Sequence, residues 1–538
     1  MKIRKLSAVA AVTAASVLAL SACGSDDNGG SGEGSGSTSD NVFTIAYNAD
    51  GGHQAWVDAT ANSIKNTLGI NAEGKPYATF AELRTDVTER KMTGAFRTGW
   101  QADYPSLYNF LGPLYGTGAG SNDGEYSNPE FDDLLTQGQG AKSIDEANGF
   151  FDQAQEILLA DLPAIPLWYA NVTGGSSEAV DNVAFGWNSV PLYYAVTKED
   201  GTPVRANGTE PQNPLVPTNT NEVGGGRIID ALFQGLVSYD ESGAPVNELA
   251  ESITSDDQQT WTIKIKGGTT FTNGEAVTAK SFVDAWNYGA LLSNAQLSSY
   301  FFEGIEGYSA DADSPLTGLA VVDDTTFTVK LNQPEADFPL RLGYSAYLPL
   351  PSAAYADMAA FGEAPIGNGP YMMDGAWRHN EAVDLVVNPD YSGPRTPANT
   401  GVSFVFYDSF DSAYNDLLAN NLDVFDGIPD SAFGTFQDDL GDRAVNQPAA
   451  VFQSFTIAQN LEHFEGEEGK LRRQAISMAI DREAITDTIF EGTRTPAADF
   501  TSPVIDGWSD TLAGVDALVY NPEKAKELWA QADEISQW

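Results

Sequence analysis

The sequence predicts an α/β fold, and three observations on its 538 residues support this prediction. Short runs at 43–47, 261–265 and 326–329 alternate apolar or β-branched residues with polar ones, which is typical of half-buried strands. Segments with helical spacing lie between these runs and carry helix-capping residues at their ends. We find no repeat of fixed period along the chain. Strands and helices therefore share the chain, and its length leaves room for several domains.

The first forty residues predict export from the cytoplasm. Three basic residues among the first five precede an apolar run over 6–22 that no acidic residue interrupts, as in a signal peptide. The run ends in Leu-Ser-Ala-Cys, which resembles the lipobox of bacterial lipoproteins, and Cys23 is the only cysteine. We therefore predict a signal peptide over 1–22, lipidation of Cys23, and a flexible Gly/Ser-rich tether over 23–40. The mature protein is expected outside the cytoplasm, anchored by its lipid to the outer face of the bacterial cytoplasmic membrane.

Capping signals place three helices in the remaining chain. Ser143 and Glu146 form a capping box ahead of an apolar stripe. Residues four apart over 56–68 form a second stripe, and Gly69 after it is a common helix stop. Asn521 followed by proline opens a last helix.

Composition and motif content exclude several functions. Lys plus Arg number 28 against 75 Asp plus Glu, a net charge of −47, and a surface of this sign repels nucleic acid. One cysteine excludes intrachain disulfides, and three separated histidines predict no metal site. A small basic cluster at Lys470, Arg472 and Arg473 is expected to face solvent. No nucleophile elbow, phosphate-binding loop, zinc-protease motif or dinucleotide-binding motif occurs, so we predict no catalytic residue and no cofactor, and the protein is not expected to be an enzyme.

Six short motifs follow one another from about residue 203 onward. In order they are EPQNPLVP at 210–217, LFQGL at 232–236, WTIKIKG at 261–267, PIGNGPY at 365–371, NPDY at 388–391 and LRRQAISMAIDR at 471–482. Each motif by itself also fits a turn or a packed core position. Together and in this order they resemble the peptide-type, family 5 solute-binding proteins of ABC importers, which include oligopeptide- and dipeptide-binding proteins.

The order of the segments departs from that of the family. The part that resembles the family's C-terminal portion lies at 41–198, ahead of the part that resembles its beginning, and joining Trp538 to Asn41 restores the usual order. The resemblance therefore implies a circular permutation, natural or engineered, and a rearranged sequence is the alternative. Both predict that Trp538 and Asn41 are neighbours, because permutation needs old termini that lie close together at the surface.

The resemblance implies a two-lobed α/β fold of the periplasmic-binding-protein type (class II), with an extra subdomain and with hinge strands joining the lobes. The expected boundaries are 166–248 with 369–453 for lobe one, 249–368 for the extra subdomain, and 41–165 with 454–538 for lobe two. Ligand would be captured in the cleft between the lobes by hinge closure.

The resemblance also implies a binding site for short peptides. In oligopeptide-binding proteins of the family, an aspartate in a G-W-x-x-D-Y context receives the α-ammonium group of an extended peptide, and here that context is GWQADY at 99–104. Asp103 is therefore the predicted ammonium partner. The predicted ligand-binding residues are Asp103, Trp100 and Tyr104 from this motif, Glu222 and Val223 where the family offers backbone groups to the peptide, and Tyr300.

The resulting hypothesis is a monomeric, lipid-anchored substrate-binding component that delivers short peptides to an ABC permease. The same fold binding an oligosaccharide, a nickel chelate, heme or an opine is an alternative, as are a secreted hydrolase and an adhesive or sensory protein that reuses the fold. An ammonium-binding aspartate favours peptides, whereas a sugar site would be rich in tryptophan and a nickel site would need a histidine or a chelator.

Overall fold

The computed structural model describes residues 41–538 except 50, 51, 79 and 408. The predicted signal peptide, the predicted lipidation site Cys23 and the predicted tether lie outside the described residues. The helices are α1 (Gln54–Leu68), α2 (Phe80–Thr88), α3 (Tyr108–Tyr115), α4 (Pro129–Gln139), α5 (Ile144–Asp161), α6 (Val223–Leu232), α7 (Ala279–Ala290), α8 (Phe338–Arg341), α9 (Met358–Glu363), α10 (Phe410–Leu418), α11 (Phe436–Leu440), α12 (Gly466–Met478), α13 (Arg482–Ile489) and α14 (Pro522–Ile535). The strands are β1 (Val42–Asn48), β2 (Asn71–Tyr77), β3 (Ala95–Gln101), β4 (Ala164–Ser176), β5 (Val180–Asp181), β6 (Thr197–Lys198), β7 (Val204–Gly208), β8 (Val237–Tyr239), β9 (Pro245–Asn247), β10 (Ala250–Thr254), β11 (Thr260–Ile265), β12 (Leu319–Asp323), β13 (Thr326–Lys330), β14 (Tyr371–Met373), β15 (Ala382–Val387), β16 (Gly401–Phe406), β17 (Val424–Phe425), β18 (Ala444–Thr456) and β19 (Arg494–Pro496).

The helices and strands that the sequence predicts are confirmed as α1, α5, α14, β1, β11 and β13. Gly69 ends α1 with a φ of 73°, a left-handed conformation that glycine adopts without strain. Ser143 Oγ accepts a hydrogen bond from the Glu146 amide at 3.2 Å and begins α5. Asn521 caps α14 by accepting from the Lys524 amide at 3.1 Å. Local capping chemistry therefore sets the ends of these three helices.

An 11-stranded sheet runs through most of the described chain. Its strand order is β14-β15-β16-β7-β17-β4-β18-β3-β1-β2, with β19 paired to β4. The strands β4 and β18 are antiparallel and 13 residues long, and they pair with each other at both their ends. Between Pro448 and Phe452 the register of this pair is irregular. The two long strands therefore connect the two ends of the sheet.

Two large hydrophobic clusters pack against this sheet. The first collects residues from Val172 to Ala449. The second combines residues from Phe43 to Tyr169 with residues from Ala450 to Trp529, and it also includes Trp187 and Ala336. The chain thus passes from one cluster to the other within β4, and again within β18. A separate four-stranded sheet, in the order β10-β11-β13-β12, shares the first cluster with α7. Among the described residues, no helix combines the length and the apolar character needed to cross a bilayer.

The expectation that the basic cluster at 470–473 faces solvent is wrong for two of its three members. Arg472 is 0% exposed and Arg473 is 3% exposed. Arg472 Nε donates to Glu468 Oε1 at 2.9 Å, and its Nη2 donates to Asp533 Oδ1 at 3.0 Å and to the Ser536 carbonyl at 2.7 Å. Because α12 packs against α14, carboxylates and a carbonyl from both helices surround this guanidinium. The charge of Arg472 is thus paired, while Arg473 donates to the backbone carbonyls of Asp161 and Phe464; a local sequence pattern reveals neither arrangement.

Candidate functional site

A cavity of about 330 Å³, called the central cavity below, is lined by residues of both hydrophobic clusters. This volume lies at the small end of the range of ligand sites in proteins. One wall is formed by Gln101, Ala102 and Asp103, directly after β3. The facing walls come from 186–194, from α6 and the residues before it, from 235–248 and 343–348, and from Pro370, Tyr371 and Arg395.

Asp103 is held at the cavity wall by a short polar network. Its amide donates to Asn109 Oδ1 at 2.9 Å, and Asn109 Nδ2 donates to Asp103 Oδ2 at 3.3 Å. Trp100 Nε1 donates to the same Asn109 oxygen at 3.2 Å. Asn109 is buried at the start of α3, and the Ala102 amide donates to the Ala450 carbonyl at 2.9 Å. The loop that carries Asp103 is thus tied to α3 and to β18.

Asp103 has no ion-pair partner among the described residues. Burial raises the pKa of its carboxyl group, and the hydrogen bond from Asn109 partly offsets that effect. Burial and, second, the negative charge of Asp103 raise the pKa of the Tyr300 and Tyr344 hydroxyls. The carboxylate therefore lies in a desolvated part of the cavity wall, near the hydroxyl of Tyr344. A cationic group brought to this position would regain the charge stabilisation that burial removes.

Glu222 and Val223 line the same cavity as Asp103, so the structure brings these three predicted site residues together. Glu222 precedes α6, and its Oε1 accepts from the Gly225 amide at 2.8 Å. Val223 opens the helix with half of its side chain exposed. A Cβ on Gly224 would stand 2.3 Å from Thr209 Oγ1, so the close approach of α6 to this neighbour requires glycine.

The other three predicted site residues do not line the central cavity. Trp100 lines a second cavity of about 210 Å³, between β3 and the loop at 121–126. Tyr104 is buried, and its ring lies under the guanidinium of Arg341 at 5.2 Å. Tyr300 is 45% exposed and stacks on Phe301. Tyr104 is therefore a packed core residue. Tyr300 lies near Asp103, because the negative charge of Asp103, after burial, raises the pKa of its hydroxyl.

Several cavity residues are missed by the sequence analysis. They are the aromatic residues Trp187, Tyr193, Tyr194, Tyr239, Tyr344 and Tyr371 and the arginines Arg227 and Arg395. They come from separate segments, so no local spacing groups them. The nearest signals are two of the motifs: PIGNGPY ends in Pro370 and Tyr371, which line the cavity, and Tyr391 at the end of NPDY donates to Glu248 Oε1 at 2.8 Å. Glu248 in turn accepts from Arg395 Nε at 2.9 Å.

The chain is similar to proteins of known family over much of its length. Residues 244–535 match the model for bacterial extracellular solute-binding proteins, family 5 (middle region). The oligopeptide-binding protein OppA of Bacillus subtilis is 26% identical over 321 residues, or 57% of each chain. The dipeptide-binding protein DppE of the same organism is 28% identical over 336 residues, or 60% of each chain. The chain thus spans about three fifths of the length of these relatives.

Solved structures agree on the fold. The unliganded open form of the periplasmic murein tripeptide-binding protein MppA matches with a TM-score of 0.53 at 22% identity, covering 63% of this chain and 66% of that one. HbpA2 from Haemophilus parasuis matches with a TM-score of 0.50 at 21% identity, covering 62% and 66%. The predicted two-lobed α/β fold class is confirmed by this likeness, and the prediction of a binding protein that is not an enzyme agrees with the family match. The chain belongs to family 5 of the bacterial extracellular solute-binding proteins.

Proposed function

We propose that this protein is the extracytoplasmic substrate-binding component of an ABC importer, and that it captures short peptides in the central cavity for delivery to a membrane permease. The observation that carries the proposal is Asp103, a desolvated carboxylate at the cavity wall with no cationic partner among the described residues. An α-ammonium group is common to all unmodified peptides, whatever their side chains. Relatives named for oligopeptide and dipeptide binding support the same substrate class.

Capture would couple binding to closure. We take the two hydrophobic clusters as the cores of the lobes, with the boundaries predicted from the sequence and with β4 and β18 as the hinge. Asp103 belongs to one wall, and Glu222 and Val223 belong to the facing wall. A peptide that contacts both walls binds the closed arrangement better than the open one, so it shifts the population toward closure. Backbone pairing with the peptide would tolerate varied side chains.

The circular permutation is part of the same proposal, and packing around the chain's last residue supports it. The ring of Phe464 lies 6.0 Å from the ring of Trp538 and 6.1 Å from that of Phe43, between centroids. One side chain thus contacts both segments that the usual family order would join. The relatives match over 321 and 336 residues, which is about the length of 203–538, the part of the chain that follows the family order. The proposed export signal and the lipid on Cys23 complete the model of a membrane-anchored protein.

Calorimetric titration with trialanine and with N-acetyl-trialanine tests the peptide assignment. Asp103→Asn is expected to keep the fold, as judged by circular dichroism, and to weaken trialanine binding at least tenfold, about 1.4 kcal/mol. Acetylation of the peptide should weaken binding to the unsubstituted protein to a similar degree, because it removes the same charge pair. Asp256→Asn, at an exposed acid outside the cavity, is the matched control and should bind trialanine normally.

The two changes together make the test specific. Because both remove one ion pair, acetylation should cost Asp103→Asn little further affinity. Additive losses would show that Asp103 acts on something other than the ammonium group. Normal trialanine binding by Asp103→Asn, or no binding of trialanine by the unsubstituted protein, would contradict the proposal.

A further inference from the structure

The charges on the wall of the central cavity are unbalanced. Five carboxylates and two guanidiniums line it, namely Asp103, Glu222, Asp230, Asp240 and Glu248 against Arg227 and Arg395. Both guanidiniums already have carboxylate partners. Arg227 Nη2 pairs with Asp426, a neighbour outside the lining. Arg395 pairs with Glu248 and, through Nη1, with Asp230 Oδ1 at 3.1 Å. The arginines therefore leave an excess of negative charge facing any ligand.

Four of the five carboxylates fall into two groups, and the fifth, Glu222, caps α6. One group is Asp103 alone, beside Tyr344. The other surrounds the hydroxyl of Tyr194, whose pKa is raised by burial, lowered by Arg395, and raised again by three carboxylates. Those carboxylates are Asp230, Glu248 and Asp240. Near Tyr194, three carboxylates therefore oppose the single guanidinium of Arg395, and this end of the cavity has a net negative charge.

Two of these carboxylates, Asp230 and Asp240, are positioned by the fold. Asp230 lies on α6 and is held by its ion pair with Arg395, although its side chain is 70% exposed. Asp240 follows β8 in a turn, where its Oδ1 accepts from the Ser242 hydroxyl at 2.6 Å, from the Ser242 amide at 2.9 Å and from the Ala244 amide at 3.0 Å. These hydrogen bonds, above all the one from the Ser242 hydroxyl, lower the pKa of Asp240 and keep it charged. The carboxylates are therefore fixed in place before any ligand binds.

We infer that the central cavity prefers peptides that carry a lysine or arginine side chain in addition to their α-ammonium group. This inference rests on the proposed peptide function. A zwitterionic peptide has no net charge, so it leaves the excess of carboxylates uncompensated, and its own terminal carboxylate adds to the repulsion. A second cation placed near Asp230 and Asp240 balances that excess. The rings of Tyr194, Tyr239 and Tyr371 line the cavity as well, and they favour a cation over a neutral chain of equal length.

The preference must be separated from the general attraction of a strongly acidic protein for cations. The net charge of −47 acts over distance and is screened by salt, since the Debye length falls from about 8 Å at 0.15 M to about 3 Å at 1 M. Asp230 and Asp240 are exposed, but a cation that contacts them lies closer than the Debye length, so this attraction is screened less than the long-range one. A preference set by the cavity should therefore persist in high salt.

The test uses three tripeptides that differ only in the middle residue: Ala-Lys-Ala, Ala-norleucine-Ala and Ala-Glu-Ala. Calorimetry on the full protein in 0.15 M and in 0.5 M NaCl should give at least tenfold tighter binding of the lysine peptide than of the norleucine peptide. The glutamate peptide should bind at least tenfold more weakly than the norleucine peptide. The order should hold at both salt concentrations.

A pair of double variants locates the source of the preference. Asp230→Asn with Asp240→Asn should bring the lysine and norleucine affinities within threefold of each other while trialanine binding persists. Asp256→Asn with Asp311→Asn makes the same change in net charge at two exposed positions outside the cavity and should leave the preference unchanged. Equal binding of the lysine and norleucine peptides, loss of the preference in 0.5 M salt, or equal effects of the two double variants would overturn the inference and leave the peptide function standing. Failure of all three peptides to bind would overturn both.

Discussion

Replacing the buried guanidinium of Arg472 should strongly destabilise the packing of α12 against α14. Arg472 bonds to Glu468 and Asp533 and to the Ser536 carbonyl, and it lies 4.5 Å from the ring of Trp529. Arg472→Met keeps the apolar length of the side chain but leaves Asp533 without its cationic partner, whereas Glu468 keeps its contact with His463 Nδ1 at 2.8 Å. Removing one partner of a buried ion pair costs about 3–5 kcal/mol. We expect a loss in the free energy of unfolding within that range.

Arg378→Met is the matched control for this prediction. Arg378 also has two carboxylate partners, Glu381 and Asp384, but 48% of its side chain is exposed. Exposed ion pairs are worth about 0–1 kcal/mol, so this variant should lose no more than that. Urea unfolding followed by circular dichroism measures both losses when the m-value is unchanged. If Arg472→Met loses no more free energy of unfolding than Arg378→Met, the guanidinium of Arg472 does not stabilise the packing of α14, and the reasoning is refuted.

Two further predictions concern pH. The affinity for trialanine should fall as the pH is lowered from 7 to 4. Burial raises the pKa of Asp103, so a proton competes with the ammonium group at a higher pH than it would at an ordinary aspartate. Calorimetry should show this loss of affinity in the unsubstituted protein, and an affinity that does not change with pH would contradict it. Burial raises the pKa of Asp499 to about 6 from an ordinary value of 3.8, so the folded protein holds this proton more tightly than the unfolded chain does. The free energy of unfolding should therefore decrease as the pH rises through this range, by about 3 kcal/mol at most. Asp499→Asn should remove that part of the slope in urea unfolding at pH 4 and pH 7, and identical slopes would rule the idea out.

Local signals account for the parts of the fold that the sequence predicts. Gly69, Ser143 and Asn521 act on the backbone groups next to them, so their effect can be read without knowing the rest of the chain. The burial of Arg472 depends on Asp533 and Ser536, which lie more than 60 positions away. Composition treats such an arginine as a solvent-facing charge. Only the packing of α12 against α14 shows that its charge is paired.

The candidate site divides in the same way. Asp103 is identified through the resemblance of a six-residue motif, and the residue that orients it, Asn109, is six positions further along. The rest of the cavity is assembled from segments between 186 and 395. Of these, the family resemblance identifies only Glu222 and Val223, and no local pattern indicates that the other segments meet. Trp100 and Tyr104 are neighbours of Asp103 in the chain but point into other surroundings, the second cavity and the Arg341 contact. The sequence motif therefore predicts which loop carries the site, but it does not predict which of its side chains reach the cavity.

The irregular part of β18 links the proposed hinge to the ligand site. Between Pro448 and Phe452 the pairing with β4 loses its register, and proline supplies no amide for the ladder. Within this stretch the Ala450 carbonyl accepts from Ala102 at 2.9 Å, and the Ala450 amide donates to the Trp187 carbonyl at 3.2 Å. One peptide segment is thus bonded both to the loop that carries Asp103 and to Trp187, whose side chain packs in the second hydrophobic cluster with Ala102. In the proposed hinge motion, bending of β18 at this point would move both of these cavity-lining segments, so a ligand that contacts them would act directly on the proposed hinge strand.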